Sequence, residues 1–219
     1  MKLISGLLCA ACMLPSAVAA QAADDTAGSE YPVPLDQPPL VDDWLPHSWW
    51  RPIDIVSGPI DADAFDDMVL VLERPEDAPE DADWPRGSRA LFILFRDPAG
   101  GWRRGPLVPG LLPCATCMGT LSGITESAIF DLAIPQPGIL EIAWVHRRYS
   151  TKAVRLRLGW QEQWRHMILL TDDVSVINPF GGRSRVRRDY RRGMMWVDGQ
   201  PKSMRPEYIR VEQVSADAY

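Results

Sequence analysis

Asp67-Met68-Val69-Leu70-Val71-Leu72-Glu73 and Ala90-Leu91-Phe92-Ile93-Leu94-Phe95 are short, almost unbroken apolar runs. Runs of this length with no polar alternation predict strands covered on both faces. Between them lies an acidic, Pro-containing loop from Glu73 to Asp83, carrying Glu76, Asp77, Glu80 and Asp81. After the second run, Asp97-Pro98-Ala99-Gly100-Gly101 turns the chain and Trp102-Arg103-Arg104 returns it. A third strand is predicted over Gly138 to Val145. Lys152 to Gly159 alternates, with Val154, Leu156 and Leu158 on one face and Arg155 and Arg157 on the other. Its second face is therefore wet. Trp164 to Leu170, Arg185 to Val197 and Tyr208 to Val214 complete the set, and Asp198-Gly199 is a tight-turn signal. No window of helical length shows a 3.6-residue period. The 20 prolines argue the same way, because proline removes a donor and clashes inside a helix. The expectation is an all-β, antiparallel domain over residues 53–219.

The 219 residues suffice for one domain with a real core, and a net charge of −6 gives no global pull toward nucleic acid. Met1 to Ala22 reads as a signal peptide. Lys2 begins it, an apolar stretch follows, and Ser16-Ala17-Val18-Ala19-Ala20-Gln21-Ala22 offers small-x-small cleavage sites. The apolar stretch is shorter than the roughly 20 residues that span a bilayer, so no transmembrane segment is expected in the mature chain. Cys12 offers an alternative as a lipidation site. Export to the periplasm is the expected localisation. Residues 23–52 read as a polar, disordered start followed by an extended arm, rich in proline and carrying Trp44, Trp49 and Trp50, which pack onto the domain.

Three clusters can carry chemistry. Asp61, Asp63 and Asp67 occupy the third, fifth and ninth positions of a calcium-type loop, where alternate carboxylates converge on a hard cation. Pro59 stands at the first position and Ala64 replaces the turn glycine. The competing reading is an acidic loop leading into a strand. Cys114 and Cys117, spaced C-x-x-C, can form a structural disulfide in an oxidising compartment or a redox pair. Zinc lacks further ligands at suitable spacing. Arg183, Arg185, Arg187, Arg188, Arg191 and Arg192 form either a contact for an anionic partner or the solvated face and turn of a strand. The sequence shows no pattern that sets a nucleophile beside a base, so no catalytic residue is named.

Together, Ile60 to Glu73, the Leu111-Leu112-Pro113-Cys114-Ala115-Thr116-Cys117-Met118-Gly119 loop and the strand pair from Lys152 to Leu170 resemble one family. It consists of small exported bacterial proteins with FG-GAP-like or β-propeller-like repeats and a Leu-Pro-Cys-x-x-Cys-Gly loop. Its members include periplasmic immunity proteins against lysozyme-like effectors of type IV secretion. The resemblance covers roughly residues 53–200 and implies a β-propeller-like single domain that binds calcium and occupies the cleft of a peptidoglycan hydrolase. This chain departs from the pattern at Pro59, Ala64 and Met118. The expectation is a periplasmic, non-enzymatic binding protein, in its sharpest form an immunity protein that inhibits a lysozyme-like hydrolase. The alternatives are an envelope adaptor that docks on another protein and a thiol-disulfide redox protein. For the hydrolase reading, the Glu73 to Asp83 loop is the expected complement to a cationic enzyme.

Overall fold

The computed structural model describes residues 43–61, 63–80, 84–98, 101–115, 129–147 and 150–219. The chain divides into two units, residues 1–37 and 38–219, and all the described residues belong to the second. The expected signal peptide, Cys12 and most of the arm lie outside the described residues. Among the described residues, no helix is long and apolar enough to cross a membrane.

The fold is all-β and antiparallel. Strands β1 (Arg51–Gly58), β2 (Asp67–Glu73), β3 (Arg89–Arg96) and β4 (Trp102–Pro109) form a four-stranded sheet in sequence order. The second sheet contains β5 (Ile129–Gln136), β6 (Ile139–Arg147), β7 (Thr151–Gln161), β8 (His166–Ile177), β9 (Arg183–Asp189), β10 (Met194–Val197) and β11 (Gln200–Ser203), also in sequence order. Its last strand, β12 (Ile209–Arg210), pairs with Ile168 and Leu169 of β8. Neither a closed barrel nor a propeller is displayed among the described residues.

The two uninterrupted apolar runs form strands because both faces of the small sheet are covered. Val69, Val71, Leu91, Ile93 and Phe95 point one way and join Leu140, Ile142, Val154, Leu156 and Leu158 of the large sheet in the main core. Leu70, Leu72, Ala90, Phe92 and Leu94 point the other way and form a second core with Leu45 and Trp50. Trp44 and Trp49 pack against that second core. Arg104 fastens the arm: its guanidinium donates to the carbonyls of Trp44 at 2.9 Å, Asp43 at 3.3 Å and Leu45 at 3.1 Å. A charged donor shared by three backbone acceptors makes a strong staple.

Several element boundaries differ from the sequence reading. Arg185 to Val197 is not one strand but the β9–β10 hairpin, turned at residues 190–193. Of Tyr208 to Val214, only Ile209–Arg210 is strand, and Val211–Gln213 is a 3-10 turn. Trp164 closes a 3-10 turn, and β8 runs on to Ile177. Strands β1, β5 and β11 had no distinctive pattern. Asp198 and Gly199, with φ of 50° and 83°, form the expected tight turn between β10 and β11.

Candidate functional site

The predicted carboxylate loop serves the fold. Asp67 has no solvent exposure. One carboxylate oxygen accepts from the amides of Ile60 at 2.7 Å and Asp61 at 3.1 Å, and the other accepts from Arg96 at 2.9 Å. Asp63 accepts from the Phe65 amide, and Asp61 from the Asp63 amide. Each of the three aspartates thus accepts from at least one backbone amide. Among the described residues, no group of three His, Cys, Asp or Glu side chains is placed to hold a metal ion. Asp67 ties the β1–β2 loop to the end of β3. Burial pushes the Asp67 carboxyl above its ordinary value, against the pull of its amide donors, and Asp61 is raised by burial and by its neighbour Asp67.

Cys114 is half-buried beyond β4, and Cys117 lies outside the described residues, so their pairing is taken up below as a proposal. The acidic loop is largely matched by arginines. Asp77 meets Arg51 at 2.7 Å, Glu73 meets Arg89 at 2.8 Å and Glu80 meets Arg86 at 3.7 Å. Asp81 and Asp83 lie outside the described residues.

The arginine run divides by strand parity. Arg188 faces the core side, where its Nη1 donates to Asp172 at 2.7 Å. Asp172 is fully buried and also accepts from the Tyr190 hydroxyl at 2.8 Å. Burial first, and the adjacent carboxylate next, hold the Tyr190 and Tyr219 phenols above their ordinary value, so they act as neutral donors. No sequence signal marked Asp172. Arg183, Arg185 and Arg187 lie on the opposite, solvent face of β9. Arg185 donates to both oxygens of Asp173, which holds that carboxyl below its ordinary value. Arg187 lies over the Trp196 ring at 5.5 Å.

That outer face is concave. A cavity of about 470 Å³ has Ala143, Val145 and Ala153 as its floor, with Asp131, Arg155, Asp173 and Arg185 around it. These floor residues lie on the adjacent strands β6 and β7, and their short side chains leave this volume open. Following β8 outward, the same face carries Ile177, 41% exposed, and ends at the β8–β9 tip, Asn178-Pro179-Phe180-Gly181-Gly182. Phe180 is 97% exposed. The tip holding it is ordered by local bonds. The Asn178 side chain accepts from the amides of Phe180 at 3.0 Å and Gly182 at 2.8 Å, and its backbone amide donates to the Gly182 carbonyl at 2.9 Å. Gly181, at φ 82°, takes the left-handed position that other residues resist. Arg155 and Arg183 stand behind the tip with no salt bridge among the described residues. The sequence reading singled out the arginines but not Phe180, although Asn-Pro-Phe-Gly-Gly between two strands was a readable hairpin signal.

Protein-family models, curated proteins and solved structures give no match to the chain.

Proposed function

We propose that the chain is an exported, non-enzymatic binding protein whose working end is the β8–β9 hairpin tip. The observation that carries this is Phe180, presented almost wholly to solvent on a loop that its own hydrogen bonds already order. An aromatic side chain held in place loses little entropy on binding and gains its full burial in a partner pocket. Arg155 and Arg183 on the same face, which form no salt bridge among the described residues, suit a partner whose pocket is rimmed by carboxylates. In its sharper form, the partner is a lysozyme-like peptidoglycan hydrolase. Such enzymes work with paired carboxylates flanking the scissile bond, so their clefts offer the complementary charge. The reading rests on the arginine face rather than on the acidic loop, whose described carboxylates are largely paired. In the periplasm, Cys114 and Cys117 form a structural disulfide that closes their loop.

The test is peptidoglycan hydrolysis by a panel of lysozymes and lytic transglycosylases, with and without the purified chain. Stoichiometric inhibition of at least one enzyme is expected, weakened about 30-fold or more by Phe180→Ala, the effect of losing a hot-spot anchor. The envelope-adaptor reading is favoured by the same tip if no hydrolase is inhibited and Phe180 crosslinks to a non-enzymatic envelope protein. Crosslinking that is indifferent to Phe180 counts against both.

A further inference from the structure

At the far end of the large sheet, a second cluster lies apart from the hairpin tip. The 3-10 turn Glu162–Trp164 ends at Arg165, whose φ of 52° swings the chain sharply into β8. The swing brings the His166 ring under Trp164, nearly parallel at 10° and 5.7 Å between centroids, and His166 Nδ1 lies 3.1 Å from the Trp164 carbonyl. Tyr208, just before β12, meets the Trp164 ring edge-on at 5.7 Å. Trp164 is still 49% exposed and Tyr208 59%, and neither belongs to a core cluster. Burial in this protein therefore does not account for either ring.

Tyr208 also lines an adjoining groove of about 370 Å³, together with Arg205, Glu207 and Gln213. This volume falls within the range of small-molecule sites, about 300–1,000 Å³. The side chains of Arg205 and Glu207 have no partner among the described residues. Gln213 spends its amide oxygen on the Arg210 amide, which leaves its NH₂ to donate. A supported aromatic plane beside a guanidinium, a carboxylate and an amide combines two kinds of chemistry. The ring packs against aliphatic C–H groups, and the planar polar groups bond to vicinal hydroxyls in pairs.

We infer that Trp164, Tyr208 and the Arg205–Glu207–Gln213 groove form a saccharide-binding site for a short pyranose oligosaccharide. A sugar ring presents a face of axial C–H groups for Trp164 and a rim of hydroxyls for the groove. A protein partner fits less well. Protein hot spots sit within an apolar, water-excluding surround, whereas Glu162, Gln163, Arg165 and Glu207 around these rings are exposed and polar. The site is independent of Phe180, so either can fail alone.

The experiment is calorimetric and NMR titration of the full chain with the N-acetylglucosamine tetramer and, separately, the glucose tetramer at millimolar concentrations. Saturable binding of at least one tetramer is expected, with chemical-shift changes confined to residues 162–166 and 205–213. Affinity should fall about tenfold or more in Trp164→Ala and in Glu207→Ala and stay unchanged in Phe180→Ala. Both substituted residues are exposed or half-exposed, and circular dichroism verifies that the variants fold. Absence of binding by either tetramer, binding undiminished in the folded Trp164→Ala variant, or shifts mapping to the Ala143–Ala153 cavity would each overturn the assignment.

Discussion

Asp67 is a buried carboxylate surrounded by amide hydrogens, so its replacement by asparagine changes one acceptor into a donor where donors already point. Asp67→Asn should cost about 2–3 kcal/mol, the penalty of leaving buried amides unsatisfied, measured as a lower denaturation midpoint at unchanged slope. Aspartates 67 and 61 titrate above their ordinary 3.8 in the folded chain. The folded state thus holds these protons more tightly than the unfolded state, and their contribution to stability falls as pH rises through the folded values. Asp173 has the opposite sign. Arg185 lowers its value from 3.8, so its contribution is present above that pH and lost as pH falls through the lower folded value. An NMR carboxylate titration should show Asp173 below its ordinary 3.8 and moving up toward that value in Arg185→Ala. Asp172 shows how a residue's role can hide. In β8, Met167 and Leu169 face the core, but the register shifts opposite Arg157 and Leu158, and beyond it Asp172 and Val174 face inward instead. A strict two-residue period would have put Asp172 in water.

At the scale of elements, the arm segment before β1 is the test case. Trp50 is 2% exposed and seals the second core, but its indole N–H has no hydrogen-bond partner among the described residues. Trp50→Ala should therefore cost about 3–5 kcal/mol, as large-to-small core changes do. Trp50→Phe should cost much less, because it keeps most of the volume and removes the unpaired donor. Urea denaturation of the two variants makes the comparison. The hairpins after β9 and β10 differ in a similar way. A Cβ at Gly193 would lie 2.6 Å from the Met204 carbonyl oxygen, at φ 61°, whereas a Cβ at Gly199, at φ 83°, meets nothing within 4 Å. Gly199→Ala should lose about 1 kcal/mol from backbone strain alone, and Gly193→Ala clearly more, read as a larger fall in melting temperature. Asp198-Gly199 was legible because turn chemistry is local. The β9–β10 turn was not, because Tyr190, Arg191 and Arg192 carry no turn signal and Gly193 alone does not place one.

At the scale of the whole molecule, the two proposed sites sit on surface that the cores do not use. Phe180→Ala and Trp164→Ala should each leave the melting temperature within about 2 °C of the parent, since surface substitutions rarely exceed 0.5 kcal/mol. A large drop in either variant would mean that the ring is structural. The sequence by itself determined the strand-rich class, the doubly covered strands β2 and β3 and the one-sided wetness of β7. Each follows from hydrophobic period, proline content or turn chemistry, which act over a few residues. Only the tertiary structure decided what the polar clusters do. Carboxylates spaced like a cation loop became acceptors for amides because the end of β3 delivers the Arg96 N–H beside them. Arginines spaced as one patch divided between a buried aspartate and a solvent face because successive residues of β9 alternate faces, and the β7–β8 register shift turns Asp172, opposite Arg188, inward. Phe180 and Trp164 look like any other aromatic residue in the sequence. Whether such a ring is buried or presented depends on what the rest of the chain brings against it, and here nearly nothing covers Phe180, while His166 and Tyr208 flank a Trp164 ring that stays half exposed.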